Sequence, residues 1–286
     1  MTHLAVPKTY KLAIGGAFPR SESGRVYAVN DAKGAFVANA AKGSRKDARD
    51  AVVAARAALK GWSGATAYNR GRVLCRLAGL LGVRRAQCVD ESTRLEGVSA
   101  VAANAQVDAA IDLWIWYAGW TDKHAQVVGN ANAVSGPYFN ISVPEPTGVV
   151  AVVVPQGSSL LGFVSVVAPP LVTGNTVVAI ASERLPLSAI TLAEVLATSD
   201  VPGGVVNVLT GAPAEIAPWL ASHADVNALD LAGAEGLDWV DLQIAAADTL
   251  KRVLPPEMGA DAAAQSLDRI TAFTELKTVW HTKSMI

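Results

Sequence analysis

Apolar runs of strand length that alternate with segments of helical period predict an α/β fold, a parallel sheet with helices on both faces. Three observations carry that prediction. Gly148-Val-Val-Ala-Val-Val-Val-Pro is apolar throughout, as a strand buried on both sides must be. Further runs of this kind, Thr176-Val-Val-Ala-Ile-Ala, Val205-Val-Asn-Val-Leu and Val226-Asn-Ala-Leu-Asp-Leu, follow at spacings that leave room for a helix between neighbours. The intervening segments Leu160 to Leu171, Leu187 to Thr198 and Ala214 to Ser222 read as those helices, and Asp238 to Val253 as one more. Parallel strands joined by helical crossovers wind right-handed, so residues 148–257 are expected to form a Rossmann-like domain.

Upstream, residues 1–124 read as a short strand region followed by an N-terminal helical segment. Tyr10 to Gly16 and Arg25 to Val29 look like two short strands around the polar turn Ser21 to Gly24. Ser44, with Asp47 three residues on, is a capping signal. Ala48, Ala51, Val52, Ala55, Ala58 and Leu59 then recur at helical spacing up to Gly61. Arg70 to Val89 reads as a second helix, with Val73, Leu74, Leu77, Leu80 and Leu81 on one stripe. Its two cysteines, Cys75 and Cys88, are expected to be small buried hydrophobes, because neither opens a helix or stands beside a base. A third helix is expected from Val98 to Lys123. Its cluster Trp114, Trp116, Tyr117 and Trp120 is the mark of core or interface.

Composition narrows the partners. Of 286 residues, 51% are hydrophobic and 17% charged, against roughly 45–50% and about 25% in ordinary soluble domains. With mean hydropathy +0.30 and no apolar run near the roughly 18 residues of a membrane span, the surplus is expected in core and protein interfaces, as in an obligate subunit. A net charge of −1 without Lys or Arg blocks excludes a nucleic-acid footprint. The amino terminus lacks a basic region and apolar core, and two cysteines make no disulfide framework, so a cytoplasmic location is expected. His3, His124, His223 and His281 have no ligand spacing and read as surface or helix-end residues, so no metal site is expected. Asp and Glu occur singly, as on solvated faces. No Gly-x-Gly-x-x-Gly follows the first long strand, where Val154-Pro-Gln-Gly-Ser-Ser-Leu-Leu-Gly stands instead.

Particular residues go further than pattern. Glu145-Pro-Thr-Gly-Val-Val-Ala-Val-Val-Val-Pro, Ala168-Pro-Pro-Leu-Val-Thr-Gly-Asn-Thr-Val-Val, Ser182-Glu-Arg-Leu-Pro-Leu-Ser-Ala and Val201-Pro-Gly-Gly-Val-Val-Asn-Val-Leu-Thr-Gly resemble, in order and spacing, successive motifs of the NAD(P)-dependent aldehyde dehydrogenase superfamily. The resemblance covers most of residues 10–255. Ala272-Phe-Thr-Glu-Leu-Lys-Thr-Val-Trp-His resembles that family's last strand, part of a small β arm for oligomerisation. It implies arm strands within 125–147 and 266–286. The family's nucleophile-bearing catalytic domain, due between these segments, is replaced by some ten residues from Met258 to Leu267.

What the resemblance implies about chemistry lies in its departures. The family's Pro-Trp-Asn, whose Asn donates to the oxyanion, corresponds to Pro155, Gln156 and Gly157; losing such a donor costs about 2.7–4 kcal/mol of transition-state stabilisation. Its Lys-Pro-Ser-Glu, which holds the adenosine ribose, corresponds to Ile180 through Glu183, so Glu183 remains and the lysine is gone. Phe-Thr-Gly-Ser, which meets the pyrophosphate, corresponds to Leu231 through Ala234, keeping Gly233 without the hydroxyls. Glu257 is a marginal match to the general base, one residue late, and after Pro255-Pro256 it reads rather as a solvated loop residue. No cysteine follows Cys88 to form a thioester. The resemblance therefore implies no catalytic residue, a vestigial NAD or NADP site of weak affinity at Glu183 and Gly233, and a retained arm. A homodimer could not supply the catalytic domain that accepts the arm, whereas a full-length aldehyde dehydrogenase could. The expected function is a non-catalytic subunit of such a hetero-oligomer. The alternatives are an NAD(P)-binding sensor module and an aldehyde oxidoreductase active alone.

Overall fold

The computed structural model describes residues 8–256 and 264–283. In chain order the elements are β1 (Thr9–Tyr10), β2 (Val26–Asn30), β3 (Phe36–Ala41), α1 (Arg45–Gly64), α2 (Ala67–Val83), α3 (Arg85–Glu96), α4 (Ala100–Ala118), α5 (His124–Val128), β4 (Asn130–Asn132) and β5 (Tyr138–Pro146). Then come β6 (Val149–Val153), α6 (Leu160–Val172), β7 (Thr176–Ile180), α7 (Leu187–Thr198), β8 (Val206–Leu209), α8 (Pro213–Ser222), β9 (Ala228–Asp230), α9 (Trp239–Ala247), β10 (Arg252–Leu254), α10 (Leu267–Thr271) and β11 (Thr274–Thr282).

The central sheet is parallel throughout, in the order β10-β9-β6-β7-β8. Every residue of β6 and β7 is buried, the condition that the unbroken apolar runs anticipated. Alternation divides the load. Val150, Val152 and Val154 join a core with Leu77 of α2, Trp114 of α4, Phe163 of α6 and Ile190 of α7. Val149, Ala151 and Val153 join a second core with Val52 of α1, Leu220 of α8 and Leu242 of α9. Both faces are thus covered by helices.

Several local features differ from the sequence expectations. The expected strand Tyr10 to Gly16 is strand only at its start, in β1, and β1 and β2 both pair with β3, in parallel and antiparallel respectively. β3, Phe-Val-Ala-Asn-Ala-Ala, carries little intrinsic strand preference and is made a strand by neighbours on both edges. The helix expected over Arg70 to Val89 breaks at Arg84, whose backbone leaves helical geometry and so separates α2 from α3. Cys88 is buried but Cys75 is exposed, because it lies one residue past Val73 and Leu74 and so off the buried stripe of α2. The helix expected to reach Val253 stops at Ala247. Leu250 adopts φ 53° and turns the chain back, so residues 252–254 become the strand that extends β9.

Buried polar groups correct the reading of the acids as solvated, and His124, which opens α5 as a helix-end residue, is buried there. Asp47, Glu91, Asp230 and His124 are all buried. Asp47 completes the capping box of α1, taking the Ser44 N–H at 2.8 Å, and also holds Ser21 Oγ at 2.7 Å, which pins the early turn to the helix. Burial holds the His124 imidazole below its ordinary pKa. Trp114 and Tyr117 are core residues, whereas Trp116 and Trp120 are half-buried and pack ring against ring at 5.6 Å.

The arm is a separate antiparallel sheet, β11-β5-β4. β11 pairs with β5 over its whole length, from Thr274 opposite Pro146 to Thr282 opposite Tyr138. On one face a hydrogen-bond ladder crosses all three strands: Asn132 Nδ2 donates to Asn140 Oδ1 and Ser142 Oγ, and Ser142 Oγ meets Thr278 Oγ1 at 2.8 Å. Among the described residues no helix is long and apolar enough to cross a membrane.

Candidate functional site

In an open parallel sheet, ligands bind outside the carboxyl ends of the strands, where the strand order reverses. Here the chain runs from β6 outward through β7 and β8, then returns to β9 on the other side of β6. The reversal lies between β6 and β9, so the loops at residues 154–159 and 231–238 bound the candidate site.

Gly233, in the second of these loops, packs against the end of β6. Its N–H donates to the Val153 carbonyl at 2.8 Å, and a Cβ there would lie 1.9 Å from the Val154 oxygen. Backbone contact with the end of β6 therefore demands the glycine, and leaves no gap between the loops at this point. Ala232 N–H is taken by Asp230 Oδ1 at 3.0 Å. Asp230 also pairs with Arg269 of α10 at 2.5 Å, with both side chains buried.

The helices that start at these loops carry carboxylates at their amino ends. Asp238 caps α9, accepting from the Asp241 N–H, and Asp241 lies in the first turn. At α6, Glu96 Oε1 accepts from Ser159 N–H at 2.8 Å and from Ser159 Oγ at 2.5 Å, and Ser159 Oγ lies 3.1 Å from Ser92 Oγ. A helix amino terminus attracts a phosphate through its free N–H groups and positive dipole end. In both helices an internal carboxylate already takes that place, so these residues do not fit a pyrophosphate.

On the β7 side the site opens. A cleft of about 690 Å³ lies between Tyr27 to Asp31, the loop at Gln156 and Gly157, and the exposed pair Glu183 and Arg184. Gln156 spans the strand ends: Nε2 donates to the Val154 carbonyl at 2.6 Å and Oε1 accepts from the Glu183 N–H at 2.9 Å. Ser182 Oγ donates to the Gln156 carbonyl at 3.1 Å and accepts from the Leu185 N–H at 3.1 Å. The Gln156 amide is thus committed to the scaffold. Ile180 is fully buried and puts no cation at the rim. Burial, and after it the Glu183 charge, push the Tyr27 hydroxyl above its ordinary pKa.

Of the residues singled out from sequence, Glu183 lines this cleft, Gly233 lies at the β6 to β9 contact, and Glu257 lies outside the described residues. Sequence reasoning missed Glu96, Asp230 and Arg269. The spacing of Ser159 and Glu96, 63 residues apart, carries no local signal, and neither does that of Asp230 and Arg269. Burial, and after it Glu91, push the Cys88 thiol up to about 12, so it stays protonated at neutral pH. Among the described residues no group of three or more His, Cys, Asp or Glu could hold a metal.

Comparison with known proteins bears on these observations. Residues 18–268 match the family model described as aldehyde dehydrogenase family. Aldehyde dehydrogenase family 2 member B4, mitochondrial, of Arabidopsis thaliana is 33% identical over 247 residues, 85% of this chain and 45% of the relative. Retinal dehydrogenase 2 of Homo sapiens is 33% identical over 251 residues, 86% of this chain and 48% of the relative. The chain thus spans about half the length of the curated relatives it matches. Among solved structures, an NAD-dependent aldehyde dehydrogenase from Sinorhizobium meliloti superimposes with a TM-score of 0.79 at 25% identity, over 86% of this chain and 49% of that one. A betaine aldehyde dehydrogenase from Staphylococcus aureus in complex with NAD+ gives 0.79 at 24% identity, over 85% and 48%, and shows the shared fold.

Proposed function

Because this chain belongs to the aldehyde dehydrogenase family, we propose that it is a non-catalytic subunit, one that assembles with a full-length aldehyde dehydrogenase through its β arm. The observation that carries this reading is the intact arm. β11 is paired along its full length with β5, while twelve residues, 255–266, separate β10 from α10. Twelve residues leave no room for a domain between the parallel sheet and the arm.

Three features argue against chemistry by the chain alone. Gln156 is committed to Val154 and Glu183 and is not free to turn towards an oxyanion. Cys88 is buried, and Cys75 sits on the outward side of α2 away from the candidate cleft. The carboxylates at α6 and α9 oppose a pyrophosphate. The test is co-expression with a full-length relative encoded nearby, followed by size exclusion and an aldehyde oxidation assay. Co-elution at a mass above either homo-oligomer is expected, with no NADH production by this chain alone. Unaltered elution of each chain, or steady turnover by this one, overturns the proposal.

One observation favours a second reading, a nucleotide-sensing module. Glu183 and Arg184 both face the open cleft, the charges suited respectively to a ribose hydroxyl and to a 2′-phosphate. Calorimetry with NAD and NADP decides it, because absence of heat at millimolar cofactor removes this reading.

A further inference from the structure

The outer edge of β11 has no neighbour among the described residues. Its backbone direction follows from the flanking hydrogen bonds: the Phe273 carbonyl accepts from Thr147 N–H, and the Lys283 N–H donates to the Pro137 carbonyl, both towards β5. Backbone groups alternate along a strand, so odd-numbered residues face β5 and even-numbered ones face away from it; of these Thr274 is buried at the base of the strand, and Leu276, Thr278, Trp280 and Thr282 are exposed. Such a row of free N–H and C=O groups is a template for another strand. On the same residues stand two large exposed apolar side chains, Leu276 at 57% and Trp280 at 59%.

We propose that this edge pairs with the same edge of a second copy, antiparallel, about a two-fold axis at Thr278. Edge-to-edge pairing of two identical antiparallel strands needs an axis perpendicular to the sheet, and Thr278 is the midpoint of β11. That register pairs Leu276 to Trp280 of one copy with Trp280 to Leu276 of the other and matches the outward N–H and C=O groups of Leu276, Thr278 and Trp280, while the buried Thr274 lies outside it. It also suits the side chains. Leu276 stands opposite Trp280 of the second copy, so each exposed apolar group covers the other. Glu275 stands opposite His281 and Lys277 opposite Val279, so no like charges meet, and Glu275 keeps its ion pair with Arg252 on its own chain. Thr278 stands opposite itself, which carries the hydroxyl ladder from Ser142 through Thr278 into the second copy. The result is a six-stranded sheet from two three-stranded arms.

This inference concerns the chain by itself and stands or falls separately from assembly with a full-length relative, which would compete for the same edge. Light scattering on the purified chain at rising concentration is expected to show a dimer, and Thr278→Pro, which removes the central outward N–H, a monomer at the same concentrations. A cross-link keeps the test independent of folding defects. Paired residues of the hydrogen-bonded kind stand about 5.5 Å apart at Cα, within the roughly 4.4–6.8 Å span of a disulfide. In a Cys75→Ser background, Thr278→Cys treated with diamide is expected to give a covalent dimer. Lys277→Cys, on the opposite face and facing Val279, is expected to stay monomeric. A wild-type monomer at all concentrations, or equal linking of the two cysteine variants, overturns the proposal.

Discussion

At the scale of single residues, the decisive fact about Gly233 is its distance from the end of β6. A motif glycine can be kept for a ligand or for the fold. Here a methyl group at Gly233 would meet the Val154 oxygen at 1.9 Å and the Val154 carbonyl carbon at 2.3 Å. Neither atom is a flexible side-chain end, so the backbone of β6 would have to move. Overpacking in rigid surroundings costs about 1–3 kcal/mol and occasionally more, and Gly233→Ala is expected at or above the top of that range. Gly236, in the same loop, has no positive φ, and a methyl group there would meet nothing within 4 Å. Gly236→Ala is therefore expected to be neutral, or stabilising by about 0.4–1 kcal/mol through the unfolded chain. Urea unfolding of both variants checks the contrast; a Gly233→Ala variant as stable as wild type would mean that the loop yields, and that its glycine is spared for a ligand.

At the scale of elements, α6 shows how a helix amino terminus can be assigned away from a ligand. The helix is apolar almost throughout and has no side-chain cap of its own at Ser159, so its first N–H groups need an outside acceptor. Glu96, at the end of α3, supplies one. Glu96→Gln keeps the shape but removes the charge, and is expected to cost about 1–2 kcal/mol in urea unfolding with an unchanged m value. The same elements show what was legible in the sequence. The strands β6, β7 and β8 could be read because burial on both faces demands apolar runs that leave little alternative. α7 was legible to the residue, since its apolar positions lie between a proline and a polar turn. By contrast β3 and β10 exist through their neighbours: Arg252-Val-Leu is a strand only because β9 offers an edge, which a local pattern does not contain. For the same reason the candidate cleft was only partly legible. Glu183 could be placed beside it from a motif, but Gln156 as a bridge between strand ends, and Glu96 as an anion filling a helix terminus, are long-range pairings that emerge once the chain is folded.

At the scale of the whole molecule, the question is how a chain with only nineteen residues, 255–273, between the last strand of the parallel sheet and the arm keeps the two joined. The C-terminal segment does not merely trail from the sheet; it re-enters the core. Ile270 and Phe273 are fully buried and belong to the same cluster as Phe163 and Trp114. The Asn175 side chain ties three segments together, donating to the Pro170 and Phe273 carbonyls at 2.9 Å each and accepting from Gly148 N–H at 2.8 Å. Arg269 adds its buried ion pair with Asp230, and breaking such a pair from one side typically costs about 3–5 kcal/mol. The arm is therefore anchored at its base and free along its edge. Phe273→Ala is expected to lower stability by about 3–5 kcal/mol, the usual range for a buried phenylalanine. That corresponds to a fall in Tm on the order of ten degrees for a protein of this size. Trp280→Ala, within β11 and 59% exposed, is expected to leave the Tm of the dilute monomer nearly unchanged while weakening self-association. Scanning calorimetry at low concentration separates the two variants. Equal loss in both would mean that β11 is held by its edge and not by its base, and that the arm is no fixed part of the body.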